Sequence, residues 1–396
     1  MKMKRIILIL LALILLMSCS NIPVKPVEAF IKETKAEVCP DRRVNIFDVE
    51  FEQRGRNVIL TGEMDSKDGL ESMVKALEEE GYTVSNKINL LPDEALGEKT
   101  YGLIKRSVAN LRVEPSARSE MATQAVLGTP IRVYKKEGKS NFYVQTPDGY
   151  LGWIEKSAFL PLSEEEMKQW RKAEKIIYTA DAGYVYDKPT RNSAIISDIT
   201  ATSFLLQGRP EGDFFKVMFP DARVGYVHKD ECLNYYEWQW KTKPTAKSII
   251  GLAHTFMGRP YLWGGTSTKM MDCSGFVRIV FFLHDIYLPR DASQQVMVGK
   301  TVAEGKEEID KLEPGNLVFF GFKRDDGSER ITHVGIYIGD GKFIHEAGDV
   351  NILSFNPEDP NYSKYRHDMF IRGKDVIHHI GKYGVKHLRD IPLYAN

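Results

Sequence analysis

The sequence predicts a multidomain protein: a small α/β module, two small β-barrels and a C-terminal α+β domain. Three observations carry this expectation. The chain has 396 residues, more than one hydrophobic core normally serves. An internal repeat relates 102–160 to 176–234, each copy made of short strands between Gly, Asp and Pro turns. Beyond residue 245, helical patterns come first and alternating β-branched patterns follow, which is the order of an α+β domain.

The chain opens with MKMKR and an apolar run over 6–17, a positive n-region and an h-region too short to span a bilayer as a mature helix. The run ends in Leu16-Met17-Ser18-Cys19, a small residue before cysteine, which resembles a bacterial lipoprotein processing site. Residues 1–19 are therefore expected to form a lipoprotein signal peptide, with Cys19 as the lipidated residue. The alternative is an ordinary signal peptide cut near Ser18. Ser20, in place of an aspartate, fits an outer-membrane destination by analogy with bacterial sorting. Residues 20–40, with Pro23 and Pro26, read as a tether.

Residues 41–100 read as strand, strand, helix, strand. The run 44–53 alternates, Gly55 turns, and 57–61 returns; Ser66 starts a helix bearing Leu70, Met73, Val74 and Leu77 on one face, Gly81 closes it, and 83–91 is a third strand. This small ββαβ module resembles, in pattern, the BON type of bacterial envelope proteins. The first barrel is expected over 101–162 and the second over 176–240. Pro115 answers Pro189, and Gly152-Trp153 answers Gly225-Tyr226. Between them, 163–175 is a helical connector, with Ser163 and Glu166 spaced as a capping box.

The last domain, 243–396, opens with a helix capped by Thr245, with Ile249, Ile250, Ala253 and Phe256 inward and Gly258 at its end. A loop around Tyr261, a helix starting at Cys273, a loop around Asp291 and a β-meander from 317 to about 370 follow. The tail 373–396 carries His378, His379 and His387. No carboxylate or thiol is spaced with them as a ligand set, so a surface tail and no metal are expected.

Lys plus Arg and Asp plus Glu number 54 each, so no net field recruits nucleic acid or an anionic surface. Of four cysteines, Cys39 and Cys232 remain once Cys19 and Cys273 are assigned. An oxidising compartment would permit a disulfide between them, but sequence cannot supply proximity.

The chemistry centres on YLWGGTSTKMMDCSGFVR, 261–278. Asp272 is placed as the N-cap of an apolar helix, and Cys273 falls in its first turn, where unpaired N–H groups favour a thiolate and should lower its pKa. The alternative is a cysteine that serves as a small buried hydrophobe. Downstream, His333 lies in ITHVGIYIGDG and His345 in KFIHEAG, two strand patterns joined by a Gly-Asp-Gly turn. A three-residue loop (Gly339, Asp340, Gly341) sets Gly335 opposite His345 and makes His333 its diagonal neighbour on the same face. A two-residue loop would put the two histidines on opposite faces. Nucleophile, base and orienting partner are then available in Cys273, His333 and His345.

GRPYLWGG (258–265), DCSGFV (272–277), LPRDASQQ (288–295), PGNLVFF (314–320), THVGIYIG (332–339) and FIHEAG (343–348) together resemble the NlpC-type cell-wall cysteine endopeptidases. The resemblance implies a papain-like fold for the C-terminal domain and SH3-like folds for the two barrels. It implies a nucleophile at Cys273, a base at His333, an orienting third residue at His345, and Tyr261 near the oxyanion. In the subgroup that joins this peptidase to two such barrels, it further implies that Tyr261, Trp263, Asp272, Ser274 and Asp291 line the site for L-Ala-γ-D-Glu. Tyr150 and Glu120 of the first barrel are the matches for residues that close its end and hold a free amine. Each has a plainer reading: Tyr261 and Trp263 as core aromatics, Asp272 and Asp291 as helix caps, Glu120 as solvated surface, Tyr150 as barrel core. Ala292 stands where a serine is expected, which removes one substrate hydrogen bond.

The expected activity is hydrolysis of peptidoglycan stem peptides between γ-D-glutamate and the diamino acid, on peptides with a free N-terminal L-alanine, without a cofactor. An amidase or acyltransferase using the same three residues is the alternative within enzymes. A silent peptidoglycan-binding lipoprotein is the alternative outside them. A monomer in the bacterial cell envelope is expected, lipid-anchored to the outer membrane and facing the periplasm, with no nucleic-acid partner.

Overall fold

The structure, a computed structural model, describes residues 25–395. The apolar run 6–17, Cys19 and Ser20 lie outside the described residues. The chain divides into two compact units, one ending at Leu91 and the other beginning at Pro92.

In the first unit, strands Phe47–Arg54 and Asn57–Met64 form an antiparallel hairpin turned at Gly55, whose φ of +62° suits glycine. Helix Lys67–Glu79 is capped by Ser66, which accepts from the Gly69 N–H at 3.1 Å, and strand Thr83–Leu90 then pairs in parallel with Asn57–Met64. A strand–helix–strand crossover is what parallel pairing requires. The tether reading of 20–40 needs correction: Val27–Val38 is a helix, and Val27 and Phe30 enter the same core as Leu60, Met73 and Leu77. Pro26 stands at its N-cap, where proline's fixed φ starts a helix and does not break one.

In the second unit, strands from Tyr101 to Leu162 form a seven-stranded antiparallel sheet, and strands from Lys175 to Asn234 form another. Matched strand for strand through the repeat, the two sheets have the same order. In the first, all seven strands contribute to one core, including Ile104, Leu111, Ala125, Val133, Val144, Ile154 and Phe159, so the sheet curls around it. Ser163 and Glu166 make the capping box of helix Glu164–Lys172 between the sheets.

The C-terminal part sets helices Ala246–His254 and Cys273–Phe282 against a six-stranded antiparallel sheet. Its order is Lys300–Glu304, Phe370–Asp375, Leu317–Lys323, Glu329–Gly339, Lys342–Glu346, Val350–Ser354. The expected meander accounts for four of these strands. Phe370–Asp375 instead returns to lie between Lys300–Glu304 and Leu317–Lys323. Phe276, Val277, Val280 and Phe281 of the helix pack on Val334, Ile336 and Ile344 of the sheet.

The surface-tail reading of 373–396 is also corrected. Val385, Leu388, Ile391 and Tyr394 are buried, and the last three join Phe204 of the second barrel and Phe282 and Tyr287 in one aromatic cluster. These apolar residues recur at every third position, the period of a 3₁₀ turn and not that of an amphipathic α-helix or strand, so the usual patterns did not mark them as core; Leu388–Asp390 is such a turn. His378 and His379 lie beside Asp375, and the His387 Nδ1 lies 2.7 Å from Asp285 Oδ2. Cys39 and Cys232 are free thiols, each buried in the core of its own domain.

Candidate active site

Cys273 begins its helix, and Asp272 caps it by accepting the Gly275 N–H at 2.8 Å. The turn that precedes the helix packs so closely that a Cβ on Gly275 would lie 2.1 Å from the Gly265 carbonyl oxygen, so only glycine fits there. Cys273 is 8% exposed, and burial, helped by the nearby Asp272 charge, pushes its thiol up to about 12. The backbone N–H groups of Val334 and Ser274 and the Arg290 charge pull the other way. The lowered thiol pKa expected from the helix start is thus reversed. A helix end contributes about 0.3–1 kcal/mol, less than the desolvation of a buried thiolate.

The two histidines meet. Gly335 pairs with His345 across the hairpin, and the His333 Nε2 lies 2.7 Å from the His345 Nδ1 with the rings edge to face. This is the register of the three-residue loop, although Gly339 also pairs with Lys342 through a bulge, with Asp340 and Gly341 at positive φ. A Cβ at Gly335 would stand 3.0 Å from the His345 Cβ, so glycine leaves room for the imidazole. With Nε2 committed to His345, Nδ1 is the His333 atom left for a thiol. The residue after His333, Val334, gives its N–H to the Cys273 sulfur. Burial, then the Arg366 charge, then His345 hold His333 well below the usual imidazole range. Burial and Arg366 push His345 down to about 4, against Asn351 and Asp349. Asn351 is its cross-strand neighbour.

The first barrel forms the rim. The Trp263 Nε1 donates to Glu120 Oε1 at 2.7 Å, and the Tyr150 hydroxyl donates to Asp291 Oδ2 at 3.1 Å. Glu120 is exposed and Trp263 is 62% exposed, so the carboxylate is solvated. The barrel is held there by backbone and side-chain bonds between Gln124 and Thr266, and by the ion pair of Asp148 with Arg278 at 2.9 Å. Burial, then the Cys273 and Asp272 charges, push the Tyr261 hydroxyl above its ordinary range, which keeps it a proton donor.

Residues 258–381 match the NlpC/P60 family model, and 111–159 match that of the bacterial dipeptidyl-peptidase Sh3 domain. A probable endopeptidase of Haemophilus influenzae is 37% identical over 148 residues, 37% of this chain and 87% of that protein. The chain belongs to the NlpC/P60 family. A gamma-D-glutamyl-L-lysine dipeptidyl-peptidase of Bacillus cereus is 29% identical over 234 residues, 57% of this chain and 67% of that one. The crystal structure of an NlpC/P60 family protein from Bacillus cereus shares the fold, with a TM-score of 0.59 at 23% identity over 69% of this chain and 99% of that chain.

Within this NlpC/P60 cysteine peptidase, His333 meets His345, the neighbouring Val334 N–H reaches Cys273, and the Cys273 charge acts on Tyr261, while Trp263 and Asp291 bond separately to Glu120 and Tyr150 of the first barrel. Asp272 and Ser274 are turned inward. Arg290 reaches Asp272 Oδ2 at 2.6 Å, Ser274 Oγ at 2.9 Å and Thr123 Oγ1 of the barrel at 2.9 Å. Both residues are buried and brace the Cys273 helix against the barrel. Asp291 also caps a helix: its N–H donates to Gln294 Oε1 at 3.1 Å. Ala292 is packed into the core. Arg290 went unnoticed in LPRDASQQ because nothing local marks a cation as buried. Glu346 was missed as well. It is fully buried with neither carboxylate oxygen hydrogen-bonded, and burial, then Asp349 and Asp272, push it up to about 8. Its place next to His345 in FIHEAG was the available signal, since alternation turns it to the other face of the strand.

Proposed function

We propose that this chain hydrolyses the bond between γ-D-glutamate and the diamino acid of peptidoglycan stem peptides with a free N-terminal L-alanine, with Cys273 as nucleophile, His333 as base and His345 as its orienting partner. The observation that carries the reading is the 2.7 Å contact between His333 Nε2 and His345 Nδ1, which commits one imidazole nitrogen and leaves the other for the thiol. In the dry resting site thiol and imidazole are both neutral. The proton therefore passes from sulfur to His333 as sulfur attacks the γ-carbonyl carbon. Backbone N–H at the start of the Cys273 helix, with the Tyr261 hydroxyl, donates to the oxyanion. Collapse breaks the C–N bond, His333 gives its proton to the departing amine, and a thioester remains. Water, deprotonated by the same imidazole, then attacks the thioester carbon; the C–S bond breaks, the proton returns to sulfur, and L-Ala-γ-D-Glu leaves. The name of the Bacillus cereus relative, a gamma-D-glutamyl-L-lysine dipeptidyl-peptidase, supports the choice of bond. Glu120 and Tyr150 of the first barrel, bonded to Trp263 and Asp291, support the free amine.

The test is mass spectrometry of L-Ala-γ-D-Glu-L-Lys after incubation. The dipeptide and free lysine are expected, none with Cys273→Ala, almost none with His333→Ala, and a reduced yield with His345→Asn. Wild-type turnover by Cys273→Ala would refute the mechanism. The same proposal places the chain in the bacterial envelope, anchored through Cys19 on the periplasmic face of the outer membrane, as a monomer.

A further inference from the structure

Arg366 is a cation beside the imidazole pair that, among the described residues, has no carboxylate in an ion pair with it. It lies in helix Lys364–Asp368, in the segment between strands Val350–Ser354 and Phe370–Asp375. Its guanidinium rests 5.5 Å over the Phe320 ring, whose centroid is 5.7 Å from that of His333. Its charge lowers the proton affinity of both His333 and His345, and it is itself influenced by Cys273. All three residues of the proposed triad therefore lie within its field. Among the described residues no Asp or Glu forms an ion pair with it and its guanidinium makes no hydrogen bond; its backbone N–H donates to Ser363 Oγ at 3.2 Å. Tyr365 offers a second ring face at 5.4 Å, which holds the fork in place without neutralising it.

Position selects what it would bind. The Tyr261 loop and the first barrel bound one end of the site, through Trp263–Glu120 and Tyr150–Asp291. Arg366 stands with the imidazoles. The base must reach the leaving nitrogen, so the leaving group lies over His333 and the acyl group over the barrel side. A diamino acid leaving through its α-amine carries its α-carboxylate on the adjacent carbon. That anion is the group presented next to the imidazole. A planar five-donor fork is suited to a carboxylate, and the half-buried ring surface strengthens the pair.

We propose that Arg366 binds the α-carboxylate of the departing diamino acid, so that the enzyme selects stem peptides that end at that residue. This rests on the reading of the preceding subsection. The test compares kcat/KM on L-Ala-γ-D-Glu-L-Lys with that on its C-terminal carboxamide, in wild type, Arg366→Lys and Arg366→Gln. Wild type is expected to prefer the acid by tenfold or more. Arg366→Gln should lose at least tenfold more on the acid than on the amide, and Arg366→Lys should fall between. Equal wild-type rates on acid and amide would overturn the proposal without need of a variant. So would an equal loss on both substrates in Arg366→Gln, which would assign the cation to the thiol. Removing the charge raises the proton affinity of the site for both peptides alike, so the ratio of the two rates, and not either rate alone, decides between these. Wild type that cuts neither peptide would instead refute the proposed bond specificity, and this inference with it.

Discussion

Replacing Arg290 by methionine should unfold the joint that holds the Cys273 helix. Arg290 is 1% exposed, and its donors serve Asp272 at 2.6 and 3.2 Å, Ser274 at 2.9 Å and Thr123 at 2.9 Å. Without it, the Asp272 carboxylate stays 5% exposed with only the Gly264 and Gly275 N–H groups and the Ser274 hydroxyl as donors. Breaking a buried pair by removing one partner costs about 3–5 kcal/mol. Asp272→Asn alone should cost a similar amount, because it strands the guanidinium, although asparagine still caps a helix. The double substitution removes both charges, so its loss should fall at least about 2 kcal/mol short of the sum of the singles. Urea unfolding followed by tryptophan fluorescence in the four proteins gives the coupling directly. A coupling below about 0.5 kcal/mol would refute the claim that these two charges depend on each other.

Two further outcomes follow from the structure and one from the sequence. N-acetylation of L-Ala-γ-D-Glu-L-Lys should lower kcat/KM, and Glu120→Ala should narrow the difference by losing activity on the free peptide; because Glu120 is exposed until substrate covers it, the pair is worth nearer 1 than 3 kcal/mol. Equal rates on the two peptides would remove the barrel from the site. Glu346 stays protonated in the fold to about 8 while the unfolded chain ionises near 4.5, so the unfolded state binds fewer protons and stability falls as pH rises through that window. The full linkage is about 5 kcal/mol, which we halve for solvent screening beside the exposed 347–349 turn; the melting temperature of Glu346→Gln should therefore pull ahead of wild type between pH 5 and 8.5, and parallel curves would be contrary to it. Cys19→Ala should release the protein from membranes, and retention after carbonate washing would show that another attachment exists.

What was legible in the sequence is what local chemistry dictates. Ser66, Ser163, Thr245 and Asp272 cap helices because their side chains answer N–H groups two or three residues on. The meeting of His333 and His345 was legible because strand alternation and one turn determine which residues share a face. Non-local facts were not. The burial of Arg290 depends on Asp272 and Thr123, neither near it in sequence. The insertion of Phe370–Asp375 beside Leu317–Lys323 depends on a long return. The raised thiol of Cys273 depends on how completely the sheet and the loops exclude water, which a helix N-terminus cannot announce. Val27–Val38 was misread for a simpler reason: two prolines were weighed as breakers, and one of them stands at the helix start.

The cluster that joins Phe204, Phe282, Tyr287, Leu388, Ile391 and Tyr394 has a consequence for how the protein is made. A chain emerging from its N-terminus can close the two barrels early, since their cores are local. Phe204, however, finds part of its partners only when residues 388–394 arrive. Until then the second barrel presents an uncovered aromatic face, the kind of transient surface on which holding chaperones act. Completion of this unit therefore waits on residues 388–394, and the packing of the second barrel on the peptidase part is finished with them.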